Sequence, residues 1–133
     1  MTTFVGTQTK FGDAVNSLIE LEYNALEAYQ AAINRVHNLD YKAKLEEFAG
    51  DHKRHIHELS KLAEKHGQQP PHEPSLGKQW LAKGKVVIAN LMGDETVLQA
   101  MLSNEGDTVT AYERMNKRTD KWDDAEDLIQ SFL

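Results

Sequence analysis

The stretch LIELEYNALEAYQAAI, residues Leu18–Ile33, decides how this chain folds. Val15, Leu18, Ile19, Ala25, Leu26, Tyr29, Ile33 and Val36 recur at steps of three and four, the spacing that gathers side chains on one face of a helix. The stripe predicts a helix from about Asp13 to Val36, with Asp13 as its N-cap. Glu22 interrupts the stripe at its centre. Glu20 and Glu27 lie off it and can stay in water. A lone carboxylate taken out of water costs several kcal/mol or takes up a proton, so Glu22 requires a partner in the core.

Working outward, HNLD (His37–Asp40) reads as a short turn, with Asp40 capping a second helix from Tyr41 to about His66. Gly67 offers that helix a left-handed stop. All three prolines fall within Gly67–Pro74, which excludes helix there. Ser75–Gly93 carries a looser stripe of Trp80, Leu81, Val87, Ile88 and Leu91, weakened by Gly77 and Gly84, and predicts a short crossing helix or two pieces. Asp94 is expected to cap a third helix, Glu95 to about Arg118. Thr119–Asp124 is a turn, and a fourth helix starts at Asp124 and is cut short at Leu133. No segment sustains a period of two. Short turns make antiparallel hairpins, and the long connection between them lets the third helix run parallel to the second. The expected architecture is all-α: one domain over residues 1–133, a four-helix bundle with a long crossover between helices two and three and a truncated fourth helix.

Bulk properties narrow the function. A net charge of −6 without a basic stripe argues against nucleic acid. Lys78, Lys83 and Lys85 read as a solvated face. The chain has no cysteine, which removes disulfides, thiolate nucleophiles, iron–sulfur clusters and Cys-type zinc sites. Any metal must be held by carboxylate, imidazole, carbonyl or water. No apolar run reaches the ~20 residues that span a membrane, and the N-terminus lacks the pattern of a signal peptide, so a cytoplasmic location is expected.

The second helix repeats the anomaly of the first. Its expected stripe is Tyr41, Leu45, Phe48, His52, His55, Leu59, Leu62 and His66, with Asp51 flanking the same face and His57 turned to solvent. Glu22 and His55 lie equally far on either side of the HNLD turn, which in an antiparallel pair puts them at one height. In the third helix Val97, Met101, Thr108, Tyr112 and Met115 are interrupted by Glu105. The Glu22–Tyr29 spacing recurs there as Glu105–Tyr112, each tyrosine preceded by alanine, as in a degenerate repeat of one helical hairpin. Carboxylates and imidazoles together suit iron, manganese or zinc. Glu22, His55 and Glu105 are the first candidate ligands, His52 and Asp51 the next, with Tyr29 and Tyr112 supporting them from behind. The competing arrangement is a buried Glu–His–Tyr hydrogen-bond network without a metal, in a helical module that works by association.

At these residues the sequence resembles the ferritin-like superfamily, in its rubrerythrin-type branch. Glu22, Ala25 and Tyr29 are spaced like that family's Glu-x-x-Ala-x-x-x-Tyr, and Glu105 and Tyr112 repeat the pattern. Where the family has Glu-x-x-His, HKRH puts His55 in the histidine place and His52 in that of the bridging glutamate. The resemblance implies a two-metal site and peroxide or iron-oxidation chemistry. An imidazole does not bridge two metals as a carboxylate does, so one ion is expected rather than two, with weak or absent turnover. The helix-four partner of Glu105 would fall past Leu133, so that ligand motif is expected to be missing. A short fourth helix would also leave Leu18, Ile19, Leu59, Leu62, Val97 and Met101 partly uncovered, and a symmetric dimer is expected to cover them.

Overall fold

In a computed structural model, which describes residues 3–73, 88 and 91–132, the apolar stripe of the first helix is buried at Val15, Leu18, Ile19, Ala25, Tyr29 and Val36, with Leu26 and Ile33 half-buried. This helix, α1, spans Phe11–Arg35, followed by α2 (Leu39–Lys65), α3 (Asp94–Lys117) and α4 (Asp123–Ser131). No strand occurs among the described residues. The short crossing helix expected over Ser75–Gly93, with Trp80, Leu81 and Val87, lies outside them except at Ile88, which is buried, and residues 91–93.

The helix starts correct three expected caps. Asp13 lies in the first turn of α1, where its charge meets the positive end of the helix, and Lys10 precedes the helix without a side-chain cap. Asn38, not Asp40, caps α2: its Oδ1 accepts from the backbone N–H of Asp40 at 2.9 Å and of Tyr41 at 3.2 Å. Gly93, at φ +89°, precedes α3. Asp94 instead caps the neighbouring turn, its carboxylate accepting from the backbone N–H of His37 and of Asn38, both at 2.9 Å. Those bonds hold the Asp94 carboxyl below its ordinary pKa. Gly67 takes the expected left-handed conformation, φ +75°.

Contacts fix the directions. Asn16 Nδ2 donates to Gln68 Oε1 at 3.3 Å, and the Tyr29 and Phe48 rings lie 6.2 Å apart, so α2 runs antiparallel to α1. Tyr112 bonds Glu22 and Tyr29 bonds Glu105, so α3 also runs antiparallel to α1 and therefore parallel to α2. Facing differs from the expectation in α2. Leu45, Ala49, His52, Ile56, Leu59, Leu62 and Ala63 are its buried residues, while Tyr41, Phe48 and His66 are exposed. Small Ala49 and Ala63 take inward positions and the larger Phe48 an outward one, an arrangement that suits close packing between helices.

The apolar face expected to remain uncovered is closed within one chain: Leu18, Ile19, Leu59, Leu62, Val97 and Met101 are all buried. Val5, Phe11, Ala125 and Ile129 pack with the first four, and Ile88 with the last two. The N-terminal segment supplies much of this cover. Arg118 donates through Nη1 to the carbonyls of Gly6 at 2.8 Å and Gln8 at 2.6 Å, and Arg114 donates to that of Thr3. At the other edge, α4 is tied to the end of α2. The Trp122 ring stacks on His66 at 3.9 Å, and Asp124 accepts from His66 Nε2 at 2.8 Å. Two apolar clusters result, one holding Leu18 and Ile19 and the other Ala28 and Tyr29, with Glu22 in the α1 turns between them.

Candidate metal centre

Glu22 finds its partners in the layer between those clusters. It is fully buried, and its Oε2 accepts from His52 Nδ1 at 2.5 Å. Its Oε1 accepts from the Tyr112 hydroxyl at 2.7 Å and lies 3.3 Å from His55 Nδ1. The opposite nitrogen of His52, Nε2, donates to Glu105 Oε1 at 2.7 Å, and the same oxygen accepts from the Tyr29 hydroxyl. His52 therefore bridges two carboxylates, one on α1 and one on α3. The repeated Glu-to-Tyr spacing acquires a structural meaning here, because each tyrosine serves the other helix's glutamate. Two antiparallel helices with the same seven-residue spacing place each Tyr opposite the partner's Glu.

The charges support one another. Burial works against an imidazolium at His52, but the bonds to Glu105 and Glu22 outweigh it and push its pKa up to about 10. Burial would likewise raise Glu22 and Glu105, yet His52 beside both, with His55 at Glu22 and Tyr29 at Glu105, holds each below its ordinary value. Burial and the neighbouring carboxylates raise both phenols, so Tyr29 and Tyr112 stay protonated donors.

Glu22, His52 and His55 each bring a ligand atom within 4.8 Å of the others. This set is one carboxylate and two imidazoles, a combination used by non-haem iron and by zinc. Both Nδ1 atoms face Glu22, and Glu105 stands behind His52 at Nε2, where a carboxylate fixes the tautomer and direction of a metal-binding histidine. Of the five candidate ligands, the fold thus brings three together. Glu105 abuts the group across the His52 ring. Asp51 pairs instead with Arg54 on its own helix, at 3.5 Å. His57 is exposed, as expected.

A cleft of about 470 Å³ opens on this layer between α2 and α3, with His52, His55 and Glu105 in its lining. Phe132, at the end of α4, stacks on the His55 ring at 4.0 Å and 23°. The sequence marks Phe132 only as one apolar residue of the short terminal helix. Its aromatic character was the one available signal, and its contact depends on the turn that precedes α4.

A family model described as a domain of unknown function (DUF2383) matches residues 10–118, most of the chain. The chain belongs to the DUF2383 family. No curated protein and no solved structure gives a match. The DUF2383 match runs from the start of α1 to the end of α3, so it contains Glu22, His52, His55, Glu105 and both tyrosines, while α4 and Phe132 lie beyond it. No described helix is long and apolar enough to cross a membrane.

Proposed function

We propose that this chain is a ferritin-like metal-binding bundle that holds one iron, manganese or zinc ion at Glu22, His52 and His55. The observation that carries the reading is the gathering of one carboxylate and two imidazoles, from two helices, within 4.8 Å, with Glu22 and His52 buried and His55 at the edge of the cleft. The donor chemistry fits. Glu22 would supply the charge, the two Nδ1 atoms would be neutral donors once the ion displaces the Nδ1 proton of His52, and Glu105 would accept the remaining N–H of His52. A bound ion would supply Lewis acidity, or one-electron chemistry if it is iron or manganese. Tyr112 holds the Glu22 carboxylate in place through its hydroxyl, and Tyr29 does the same for Glu105. The spacing of Glu22, Ala25 and Tyr29, repeated around Glu105, supports a place beside the rubrerythrin-type proteins. His52 in the bridging position supports one ion rather than two.

A second reading draws on the same bonds. His52 is satisfied on both nitrogens and Glu22 on both oxygens by protein groups alone, as a purely structural network would require. Untagged protein incubated with Fe²⁺, Mn²⁺ or Zn²⁺, desalted and analysed for metal separates the two readings. One ion per chain, lost in Glu22→Ala, supports the centre. No retained metal, or full retention in Glu22→Ala, overturns it. The dimer expected from the sequence would have to use other surfaces, since its apolar face is covered. Sedimentation at micromolar concentration reads this directly, a two-chain mass supporting pairing and a one-chain mass removing it.

A further inference from the structure

The cleft over the polar layer is too large for that layer alone. At about 470 Å³ it has the size of cavities that take organic ligands, whereas water, dioxygen or peroxide would fill a small part of it. Its outer wall is apolar and uncovered: Leu102 is 75% exposed, Val109 45% and Phe48 39%, and all three line the cleft. Leu102 and Val109 are seven residues apart on α3, and Phe48 is on α2, so the apolar wall comes from both helices. Rings furnish the inner wall. Phe132 stacks on His55 and meets Tyr112 edge-on at 5.8 Å, and Phe48 lies against Tyr29. Flat surfaces of this kind favour a flat ligand, through offset and edge-on ring contacts.

The polar floor sets the ligand's other end. Among the described residues, the hydrogen bonds to Glu105, from Tyr29 and His52, fall on Oε1, and the side chain is 36% exposed in the cleft lining. A carboxylate offers acceptors only. Asp51 and Arg54 also line the cleft, but the Arg54 guanidinium is paired with the Asp51 carboxylate at 3.5 Å, so Glu105 faces the cleft without a guanidinium or ammonium partner among the described residues. An anionic head group would meet carboxylates, while a hydroxyl would find an acceptor.

From this we infer that the cleft between α2 and α3 binds a neutral aromatic molecule carrying a hydroxyl group, its ring against Phe48, Leu102 and Phe132 and its hydroxyl directed to Glu105. The inference goes beyond metal binding and does not depend on it, because every contact it uses belongs to the protein. The probe is 2-naphthol, titrated calorimetrically into chelator-treated, metal-free protein, with 2-naphthoate as the anionic comparison. Saturable binding of one 2-naphthol per chain is expected, with 2-naphthoate at least tenfold weaker. Leu102→Asp changes an exposed side chain, so the fold tolerates it, and it should weaken 2-naphthol at least tenfold. Absence of saturable binding, equal affinity for naphthoate, or unchanged affinity in Leu102→Asp each overturns the assignment. So does self-association that Leu102→Asp abolishes in a protein that ignores naphthol, which would give the apolar wall to a second copy. Metal retention is measured on separate samples, so failure of the metal centre and failure of the aromatic site are read independently.

Discussion

Replacing Glu22 by glutamine keeps the side chain's volume and removes its charge. In the native layer Glu22 accepts from His52 at 2.5 Å and from Tyr112 at 2.7 Å and stands 3.3 Å from His55, with no exposure to water. Glutamine retains one acceptor oxygen and turns the other into an NH₂ donor. In one orientation that donor faces His52 Nδ1–H, and in the other it faces the Tyr112 hydroxyl. The imidazolium of His52 keeps only Glu105, which is partly in water. Removing one partner of a buried pair costs roughly 3–5 kcal/mol, and the surviving Glu105 places the expected loss near the lower end, about 3 kcal/mol. For a domain of this size that lowers the melting temperature by on the order of 10 °C. Metal-free protein, freed of ions by chelation, is melted by circular dichroism at pH 6. Tyr112→Phe is the internal comparison, since it deletes one bond to a charged acceptor and leaves every charge in place. Its loss should be smaller, about 1.5–2 kcal/mol. A Glu22→Gln protein that melts within about 2 °C of the parent, well inside the shift expected for a broken buried pair, would refute the charged Glu22–His52 pair.

Three further outcomes concern the pH response of this layer and the anchoring of the N-terminal segment. Glu22 and Glu105, held below 4.5, add stability above that pH and lose it as pH falls, while His52, raised from 6.5 to about 10, adds stability below pH 6.5 and loses it as pH rises towards 10. Urea midpoints of the metal-free protein should therefore peak between about pH 4.5 and 6.5 and decline by pH 9; a midpoint that rises from pH 6 to 9 would contradict the raised His52. Arg118→Ala deletes bonds to the carbonyls of Gly6 and Gln8, so amide exchange over residues 3–9 should quicken at least about tenfold while the middle of α1 keeps its protection. Gly6→Ala puts a Cβ 2.7 Å from the Arg114 Cβ on a backbone at φ +97°, and should cost about 1–3 kcal/mol in chemical denaturation. A neutral result there would mean that the N-terminal segment does not lie against α3.

Much of this molecule is written locally. Steps of three and four marked α1 and α3, Gly67 marked the end of α2, and the apolar surroundings of Glu22 required a partner for its charge, because periodicity and desolvation act on neighbours along one chain. Equal rise along antiparallel helices was enough to bring Glu22 level with His55. The rotation of α2 was not legible. Phe48, His55 and His66 form one apolar or aromatic stripe and Ala49, Ile56 and Ala63 another, about 100° apart, and the choice fell to whichever packed closer on α1. His52 is central under the observed rotation, which made the residue ranked behind Glu105 the hub between two carboxylates. The exchange of tyrosines between Glu22 and Glu105 also needed two helices in contact. Residues 3–10 have no periodicity to read; arginines more than a hundred positions away hold their carbonyls. Tertiary structure decided these points because each depends on side chains distant in sequence competing for one volume, and no local pattern records which of them wins.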